Sequence, residues 1–536
     1  MPKGMITSLQ PDAVEAGAEV LRAGGNAVDA ALACAFVQTV VDPMMCGIAG
    51  FGAMQVYMPE SGTHEIIDFH GRVPAAATPE MWQDIILGET EDGFGFILKD
   101  AVNDLGYQSI TTPGTCKAFA QACERYGTMA WGDLIEPAIR YARDGYVITP
   151  GVHGYWTAPD SPGRINVQDR LAYTAEGRRV YFNEDGSLRD LGTTIRNPGM
   201  ASALERIAKG GSEIFYNGEM AAEIDADMKA HGGLLSARDL ADYETETAEP
   251  MWGSYRGTRF STNRPPGGGI MLIEMLNILE NFDLAAMGHN SADYMRVVAE
   301  AMKIATTDKD NHVGDPRFYD VPFDRLTDKA YAKTHADAIE RGEKAHVERL
   351  SATESHGTTH LVTSDSAGNI VTVTHTLGMM SGVITDGLGF MYNGAMGVFD
   401  PRPGRAGSLA PGKSRFSSLC PTIVFDGERP LLALGAPGGT QIAMGVLQVM
   451  LNVIDFGMTP QDAILAPRFS ATSDTITVTA RIPRYAYSEL EADGYKVDRS
   501  AYSHAIASVH AIGFDADGNR SGGADIPYGG GMALAV

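Results

Sequence analysis

The stretch HGTTHLVTSDSAGNIVTVTHT, residues 356–376, decides the fold because it contains two strand-forming runs and the turn between them. Threonine dominates residues 358–365, and threonine and valine alternate over 370–376; both types are enriched in β-strands. The intervening Ser366 to Asn369 supplies the glycine and asparagine that are typical of a hairpin turn. The stretch therefore predicts a β-hairpin.

The same hairpin also permits a chemical interpretation, in which Thr358 becomes the first residue of a new chain. A threonine hydroxyl is a poor nucleophile near neutral pH, but the free α-amine of an N-terminal threonine can serve as its base. Such an amine has an ordinary pKa of about 7.7–8.0, so a substantial fraction is unprotonated near pH 7. Cleavage between Gly357 and Thr358 would create this nucleophile. The hairpin alone leaves both interpretations open.

Short motifs spread over nearly the whole chain favour the chemical interpretation. In the first half they are AGGNAVDAA at 23–31, CGIAG at 46–50, TPGT at 112–115, YARDG at 141–145, GSYRG at 253–257 and GDP at 314–316. In the second half they are TTH at 358–360, RFSSLCPT at 415–422 and GAPGGT at 435–440. With these motifs in this order, the chain resembles the γ-glutamyltransferase family of N-terminal nucleophile hydrolases.

The resemblance assigns catalytic roles to particular residues. It implies that Thr358 is the nucleophile, released when the precursor cuts itself after Gly357, and that the hydroxyl of Thr376 hydrogen-bonds this nucleophile. It also implies that the backbone N–H groups of Gly438 and Gly439 form the oxyanion hole. Glycines allow such a close approach to a substrate, and two aimed N–H donors stabilise a developing alkoxide. A simple strand-to-helix turn at these glycines is the structural alternative.

The carboxylate end of the predicted acyl pocket departs from the family pattern. The family binds the α-carboxylate of a γ-glutamyl group with an arginine that directly follows an Asp-Phe pair. Here Asp68 and Phe69 are followed by His70, and Arg72 stands two positions later. An arginine would offer a two-pronged contact that histidine does not. Whether Arg72 takes over this role is left open.

The ammonium end of the pocket departs as well. The family holds the α-amino group with a Gln and an Asp, but Ala395 and Val398 occupy these places, and Gly378 replaces an Asn. Of the usual acyl-binding set, Ser417 and Ser418 are retained. A buried ammonium facing Ala and Val would lack a partner, which is costly. We therefore expect retained chemistry and a changed acyl specificity.

The resemblance implies a four-layer αββα sandwich, whereas the sequence pattern alone supports only an α/β or α+β fold. Self-cleavage would give a large subunit, 1–357, and a small subunit, 358–536, which share one core as a heterodimer. A further oligomer is left open. The pattern predicts helices over 12–23, 201–283, 292–307 and 440–456, with a break in the second near 255–266, a strand over 47–57, and an exposed segment over 337–350.

Composition excludes several classes of partner. The net charge of -25 argues against nucleic acid and anionic membrane surfaces, since both attract clustered Lys and Arg. No run of about 18 apolar residues predicts a membrane span. The residues after Met1 lack the apolar core of a signal peptide, which favours a cytoplasmic location. Five dispersed cysteines without a Cys-x-x-Cys motif predict reduced thiols.

No cofactor or metal is predicted. His356, His360 and His375 are close in sequence but lack His-Glu-x-x-His spacing. The glycine-rich runs at 265–269 and 436–439 lack the Gly-Lys-Ser/Thr ending of a phosphate loop.

Three functions are compatible with the sequence. The leading hypothesis is an amide hydrolase or acyltransferase that acts on a small-molecule amide with an acyl group other than γ-glutamyl. Examples are a small dicarboxylic monoamide, as in relatives that hydrolyse oxamate, or an acylated β-lactam nucleus, as in cephalosporin acylases of the family. The second is an ordinary γ-glutamyltransferase or glutathione hydrolase. The third is a descendant that binds a ligand without cutting it.

Overall fold

The computed structural model describes residues 4–90, 95–159, 163–348, 357–503, 506–526 and 530–536. His356, which was considered as a metal ligand and stands just before the expected cut, lies outside the described residues. The protein consists of two stacked antiparallel sheets with helices on both outer faces. The αββα prediction is confirmed.

The first sheet has seven strands and is built from both ends of the chain. Its members, in chain order, are β1 (Met5–Ser8), β2 (Phe51–Met58), β3 (Thr63–Phe69), β8 (Glu246–Ala248), β11 (Thr358–Ser364), β12 (Ile370–Thr376) and β20 (Met532–Ala535). Their spatial order is β20-β1-β11-β12-β2-β3-β8. Strand β11 therefore lies inside the sheet, between β1 and β12.

The second sheet has six strands in the order β19-β18-β14-β13-β10-β9. They are β9 (Met251–Tyr255), β10 (Thr258–Thr262), β13 (Thr422–Asp426), β14 (Arg429–Gly435), β18 (His510–Phe514) and β19 (Arg520–Ala524). Buried apolar side chains fill the space between the two sheets, among them Val362, Ile370, Ile423, Ala433 and Ile512. Three smaller sheets contain the remaining strands. One pairs β4 (Ile86–Glu89) with β5 (Phe96–Leu98), and another pairs β6 (Tyr146–Val147) with β7 (Thr194–Ile195). The third contains β15 (Phe469–Ser470), β16 (Thr475–Val478) and β17 (Lys496–Arg499).

One helical layer covers the outer face of the first sheet. Its members are α1 (Pro11–Arg22), α2 (Ala27–Val41), α3 (Thr115–Tyr126), α4 (Trp131–Asp144), α5 (Pro150–Trp156), α6 (Val167–Leu171), α7 (Ala175–Tyr181), α8 (Pro198–Gly210), α9 (Glu213–Tyr216), α10 (Glu219–Ala230) and α11 (Ala237–Ala241). Helix α2 is buried along its whole length because nearly every residue in it is apolar. Asn26 caps it by accepting hydrogen bonds from the amides of Val28 and Asp29.

The other helical layer covers the second sheet. It contains α12 (Gly269–Leu279), α13 (Leu284–Met287), α14 (Ala292–His312), α15 (Phe323–Leu326), α16 (Lys329–Glu340), α17 (Ile442–Ile454), α18 (Pro460–Leu465) and α19 (Arg484–Ala492). Helices α12 and α17 are buried over all or most of their length and belong to the same apolar cluster as residues of the second sheet.

The helices predicted over 12–23, 292–307 and 440–456 and the strand predicted over 47–57 correspond to α1, α14, α17 and β2, with ends that differ by a few residues. The hairpin over 358–376 is confirmed; Asp365 closes its turn by accepting hydrogen bonds from the amides of Ala367 and Asn369. One prediction needs correction, since the helical block over 201–283 is interrupted from Glu246 onward by β8, β9 and β10. Strands this short have little periodicity of their own, so they lack a strong pattern in the sequence. The segment predicted to be exposed begins inside helix α16, which ends at Glu340, and residues 340–348 are mostly exposed.

Candidate active site

The start of β11 faces the space between the two sheets. Side chains alternate along a strand, so Thr358 and His360 share one face and Thr359 lies on the other. The His360 ring hydrogen-bonds Thr374 and Thr372 of β12 on the inter-sheet side. Thr359 instead hydrogen-bonds Gln10 and Gln38 on the helical side. Thr358 therefore opens toward the second sheet.

A chain of hydrogen bonds joins Thr358 to the bond that precedes it. The Thr358 Oγ1 donates to Thr376 Oγ1 at 3.0 Å, because the two residues are register partners at the end of the hairpin. The Thr376 hydroxyl in turn donates to the carbonyl oxygen of Gly357. The Gly378 amide donates to Thr376 Oγ1 at 2.7 Å and fixes the hydroxyl. This arrangement places the Thr358 hydroxyl next to the Gly357 carbonyl, whose oxygen accepts a hydrogen bond from Thr376.

Gly357 is the residue type that this geometry allows. A Cβ atom at this position would lie 2.5 Å from the carbonyl oxygen of Gly378, which is a clash with backbone. The same Cβ position is 3.6 Å from the Tyr155 hydroxyl, so α5 also approaches the junction. The sequence had not identified Tyr155, since α5 and β11 are distant in the chain.

The Gly438–Gly439 loop begins beside β11. Gly435, the last residue of β14, packs on the His360 ring, where a Cβ would lie 2.3 Å from Cε1. Beyond it, Gly438 and Gly439 have φ angles of +144° and +56°, which favour glycine. Gly438 also lies against Ala507, with 2.8 Å between a Cβ position and the Ala507 Cα. The glycines are thus required by backbone conformation and by close packing.

A buried polar network supports the other face of β11. The Gln38 side chain donates to Thr359 through its amide nitrogen, and its amide oxygen accepts from His375 Nε2 at 2.8 Å. The Gln10 amide donates to Asp42 at 2.8 Å. Burial raises the pKa of Asp42 to about 7 and lowers the pKa of His375 to about 3. Both side chains are therefore mostly neutral near pH 6, which suits a desolvated layer.

His70 lies at the end of β3 in a row of three polar side chains. Its Nδ1 is 2.9 Å from both carboxylate oxygens of Asp68, and its Nε2 is 2.7 Å from Ser417 Oγ. The Tyr243 hydroxyl donates to the His70 carbonyl at 2.9 Å. His70 and Ser417 are 2% and 3% exposed, so their contact is shielded from bulk water. The sequence singled out His70 and Ser417 separately, and the Asp-x-His spacing was the available signal for Asp68.

Arg72 is engaged elsewhere. Its guanidinium pairs with Glu246 at 3.2 Å and lies over the Tyr243 ring, 5.1 Å from the centroid. Arg317 pairs with the same Glu246 at 2.9 Å. The charge of Arg72 is therefore neutralised by this cluster, while His70 contacts Ser417.

The remaining predicted pocket residues are small or apolar. Gly378 has a φ of +68°, and a Cβ there would lie 3.1 Å from the Phe51 ring and 4.0 Å from the Ala395 Cα. Ala395 is buried, and Val398 lines a cavity of about 640 Å³. Ser418 is buried where Gly268 approaches its main chain. The structure thus groups Gly378 with Ala395, and His70 with Ser417.

The described residues contain neither a metal-binding cluster nor a membrane-spanning helix. Among the described residues, no group of three or more His, Cys, Asp or Glu side chains is placed to hold a metal ion. In the same part of the chain, no helix combines the length and apolar character needed to cross a bilayer. All five cysteines are free, as predicted, and burial raises the pKa of the Cys34 and Cys420 thiols.

The two stacked sheets, the helical layers and a threonine at the start of an internal strand define the class of N-terminal nucleophile hydrolases. Comparison with known proteins refines this class. A family model described as gamma-glutamyltranspeptidase matches residues 13–535, and the chain belongs to that family. It is accordingly an amide-hydrolysing enzyme of a family whose members use an N-terminal threonine.

Individual relatives agree in length and fold. The chain is 35% identical over 546 residues to the acylase ACY 1 proenzyme of Pseudomonas sp. (strain SE83), covering 99% of this chain and 95% of the relative. It is 34% identical to the glutathione hydrolase proenzyme of Escherichia coli (strain K12), covering 98% and 90%. The crystal structure of cephalosporin acylase from Bacillus halodurans superposes with a TM-score of 0.88 at 30% identity, covering 100% of this chain and 96% of that one.

Proposed function

We propose that this chain is a self-processing N-terminal threonine amidohydrolase that cuts itself before Thr358. The hydrogen-bond chain from Thr358 through Thr376 to the Gly357 carbonyl carries the proposal. In the first reaction, Thr358 Oγ attacks the Gly357 carbonyl carbon, and its proton passes toward Thr376. The C–N bond then breaks as this proton is delivered to the Thr358 nitrogen, giving an ester and the free Thr358 amine. Water hydrolyses this ester and leaves a carboxylate on Gly357.

The same hydroxyl then acts on a substrate amide. The Thr358 amine accepts the hydroxyl proton as Oγ attacks the substrate carbonyl. In this proposal the amides of Gly438 and Gly439 stabilise the oxyanion, and Thr376 orients the nucleophile. The proton on the amine passes to the leaving nitrogen, and the acyl-enzyme ester is resolved by water or by an acceptor amine.

The acyl group that this pocket fits lacks an α-ammonium. Ala395 and Val398 offer no charge to an ammonium, and Gly378 offers no side chain. Leaving a buried charge unpaired costs several kcal/mol. A small dicarboxylic monoamide keeps a distal carboxylate but has no amine. Its binding therefore leaves no buried ammonium without a partner.

A γ-glutamyl substrate is the second candidate. It is supported by the relative named glutathione hydrolase proenzyme and by the retained Ser417 and Ser418. Against it, the buried Ala395 and the apolar Val398 leave the α-ammonium of a γ-glutamyl group without a partner. The relative named cephalosporin acylase supports an acylated β-lactam nucleus as another amide of the favoured type.

The test begins with Thr358→Ala, with Thr358→Ser as its matched control. We expect the alanine variant to remain one chain with no turnover, and the serine variant, which keeps a hydroxyl, to yield fragments 1–357 and 358–536. Intact mass under denaturing conditions measures this. An alanine variant that is cut or active would overturn the assignment of the nucleophile.

Substrate choice is tested with a pair of chromogenic anilides. Glutaryl and γ-glutamyl p-nitroanilide differ only in the α-ammonium, and we expect the glutaryl compound to have the higher kcat/KM. A higher value for the γ-glutamyl compound would make the second candidate correct. The cytoplasmic location stays a prediction, which cell fractionation with an antibody against the chain would test.

A further inference from the structure

A cavity of about 640 Å³ lies beside the predicted acyl pocket and has no part in the proposed reaction. Its walls come mainly from the C-terminal end of α14, from residues 346–348 and from the segment 398–416. Val398 belongs to both the cavity and the predicted acyl pocket, whereas Thr358 and Gly438 are not among the described residues that line the cavity. A volume of about 300–1,000 Å³ is typical of ligand sites, so the cavity is large enough to hold one.

Lys413 places a buried ammonium in the wall of this cavity. The residue is only 4% exposed. Two of the three N–H groups of its ammonium donate to the carbonyl oxygens of Ala406 and Ser408, at 2.8 and 2.9 Å. Within the described ranges, the third N–H group has no acceptor, and no carboxylate forms an ion pair with Lys413. Since a buried charge without a counter-charge is costly, this ammonium favours an anionic partner.

The acidic side chains that act on Lys413 are engaged by arginines. Asp315 pairs with Arg317 at 2.5 Å, and Asp400 pairs with Arg402 at 2.8 Å. Burial lowers the pKa of Lys413, and the charges of Asp315 and Asp400 act in the opposite direction. Neither carboxylate contacts the ammonium, so both stabilise its charge only from a distance.

The other acidic residues in the wall leave the preference for an anion in place. Glu89 pairs with Arg402 at 2.9 Å, and Asp310 pairs with Lys309. Glu348 is exposed to solvent, where its charge is screened.

Apolar side chains form another part of the wall. Val313 and Val347 are buried, and Val398 and Phe416 are partly buried. Such side chains gain free energy when an apolar ligand surface covers them. The cavity therefore suits a ligand that combines an anionic group with an apolar body.

We propose that this cavity is a second binding site, which takes an organic anion whose carboxylate accepts the third N–H of Lys413 and whose apolar body packs against Val398 and Phe416. The site is additional to the one at which Thr358 acts, so it does not depend on the proposed self-cleavage. A free carboxylate and a carboxylate on a distant part of an amide substrate share this chemistry.

Calorimetry with 3-phenylpropanoate and 3-phenylpropanamide tests the charge preference. The two probes have the same aromatic body and differ only in a carboxylate or a neutral carboxamide. At about pH 7 and low salt, we expect the wild-type enzyme to bind the carboxylate at least about tenfold more tightly, because hydrogen bonds between ionised groups are the stronger ones. Equal affinity for the two probes, or no binding of the carboxylate at millimolar concentration, would overturn the proposal.

Substitutions at Lys413 locate the preference in the cavity. Lys413→Gln keeps two N–H donors for the carbonyls of Ala406 and Ser408 but has no charge, so we expect it to lose the preference. Lys413→Arg keeps the charge and should retain it. Lys333→Gln removes an exposed charge from α16 and is the matched control, with the wild-type preference expected. A folded Lys413→Gln variant that still prefers the carboxylate would contradict the proposal.

A crystal of the wild-type enzyme with 3-(4-bromophenyl)propanoate gives the position of the ligand without any substitution. The anomalous signal of bromine is expected between Val398 and Phe416. Bromine beside Thr358 and nowhere in the cavity would overturn the proposal. This measurement decides the question if Lys413→Gln does not fold.

Kinetics with glutaryl p-nitroanilide distinguish the two sources of the carboxylate. Competitive inhibition by 3-phenylpropanoate that is lost in Lys413→Gln would show that the cavity holds part of the substrate. Binding that leaves kcat and KM unchanged would show a site for a free anion. If the enzyme cuts no anilide, the amidohydrolase function fails, whereas calorimetry still tests this site.

Discussion

Thr376 is the residue at which three hydrogen bonds meet. Its hydroxyl accepts from Thr358 and from the Gly378 amide, and it donates to the Gly357 carbonyl. A donor aimed at a carbonyl stabilises the negative charge that develops when the carbon is attacked. In the proposed self-cleavage, the Thr376 hydroxyl stabilises this charge. In the proposed turnover, we assign the stabilisation to the backbone amides of Gly438 and Gly439.

Replacing Thr376 by valine should therefore slow self-cleavage. Valine keeps the shape of the side chain but removes the hydroxyl, and losing one oxyanion donor costs about 10²- to 10³-fold in rate. The time course of fragment formation on a denaturing gel measures the effect. Thr376→Ser keeps the donor and should cut at a rate near that of the wild type. A valine variant that cuts as fast as the wild type would show that this hydroxyl has no role in the reaction.

Gly357→Ala is a second prediction at this scale. The added Cβ would lie 2.5 Å from the Gly378 carbonyl oxygen, so the junction must shift and the alignment of the carbonyl with Thr358 is lost. We expect cleavage to be slowed by at least about tenfold, since small displacements of reacting atoms are costly. Gly88→Ala is the control, because no atom lies within 4 Å of its Cβ position. Equal cleavage in both variants would contradict the steric argument.

At the scale of elements, a buried ion pair holds a loop against the Gly438 turn. Arg468 contacts Asp525, and its guanidinium donates to the carbonyls of Ile506 and Ala507 at 3.1 and 3.0 Å. Ala507 lies directly on Gly438. The pair is therefore in a position to fix the loop behind the predicted oxyanion hole.

Asp525→Ala should destabilise the fold strongly. The substitution leaves the Arg468 charge buried without its carboxylate, which costs about 3–5 kcal/mol in free energy of unfolding. Urea denaturation followed by fluorescence measures the change. Asp337→Ala removes an exposed partner of Lys333 on α16 and should leave the urea midpoint almost unchanged. Similar midpoints for the two variants would mean that the Arg468 pair contributes little.

Elements that are determined by residues close together in the chain could be predicted from the sequence. The hairpin over 358–376 has its own turn chemistry, so it was predicted with its boundaries. The site could be predicted in parts only. His70 and Ser417 are 347 residues apart, and no periodicity connects them; their hydrogen bond requires β3 to end beside the 415–422 segment.

At the scale of the whole molecule, buried histidines set the response to acid. His360, His375 and His510 are buried between or beside the sheets, and burial lowers their pKa values, to about 3 for His375 and about 4 for His510. The unfolded chain takes up protons near pH 6.5, whereas the folded chain does not until lower pH. Stability is therefore present above about pH 6.5 and is lost as the pH falls toward about 4, by about 1.4 kcal/mol per pH unit for each group.

His510→Phe should reduce the slope of the free energy of unfolding against pH, because about one proton fewer is taken up on unfolding. Neither ring nitrogen of His510 has a hydrogen-bond partner among the described residues, so phenylalanine removes the titration without breaking a contact. Denaturation midpoints between about pH 4 and about pH 7 give the slope. Asp42, with a pKa raised to about 7, acts in the opposite direction in the same range, and Asp42→Asn should make the loss steeper. Equal slopes of stability against pH for His510→Phe and the wild type would show that His510 does not contribute to the loss of stability in acid.

The position of β11 inside the seven-stranded sheet has a consequence for how the nucleophile can arise. Strand β1 lies on one side of it and β12 on the other, and both sheets combine strands from before and after Gly357. A ribosome could not begin a chain at Thr358 and also supply the neighbouring strands in one covalent piece. Under the proposed self-cleavage, the amine of Thr358 is therefore a product of the folded protein, because the strands on both sides of β11 are in place before the bond after Gly357 is cut.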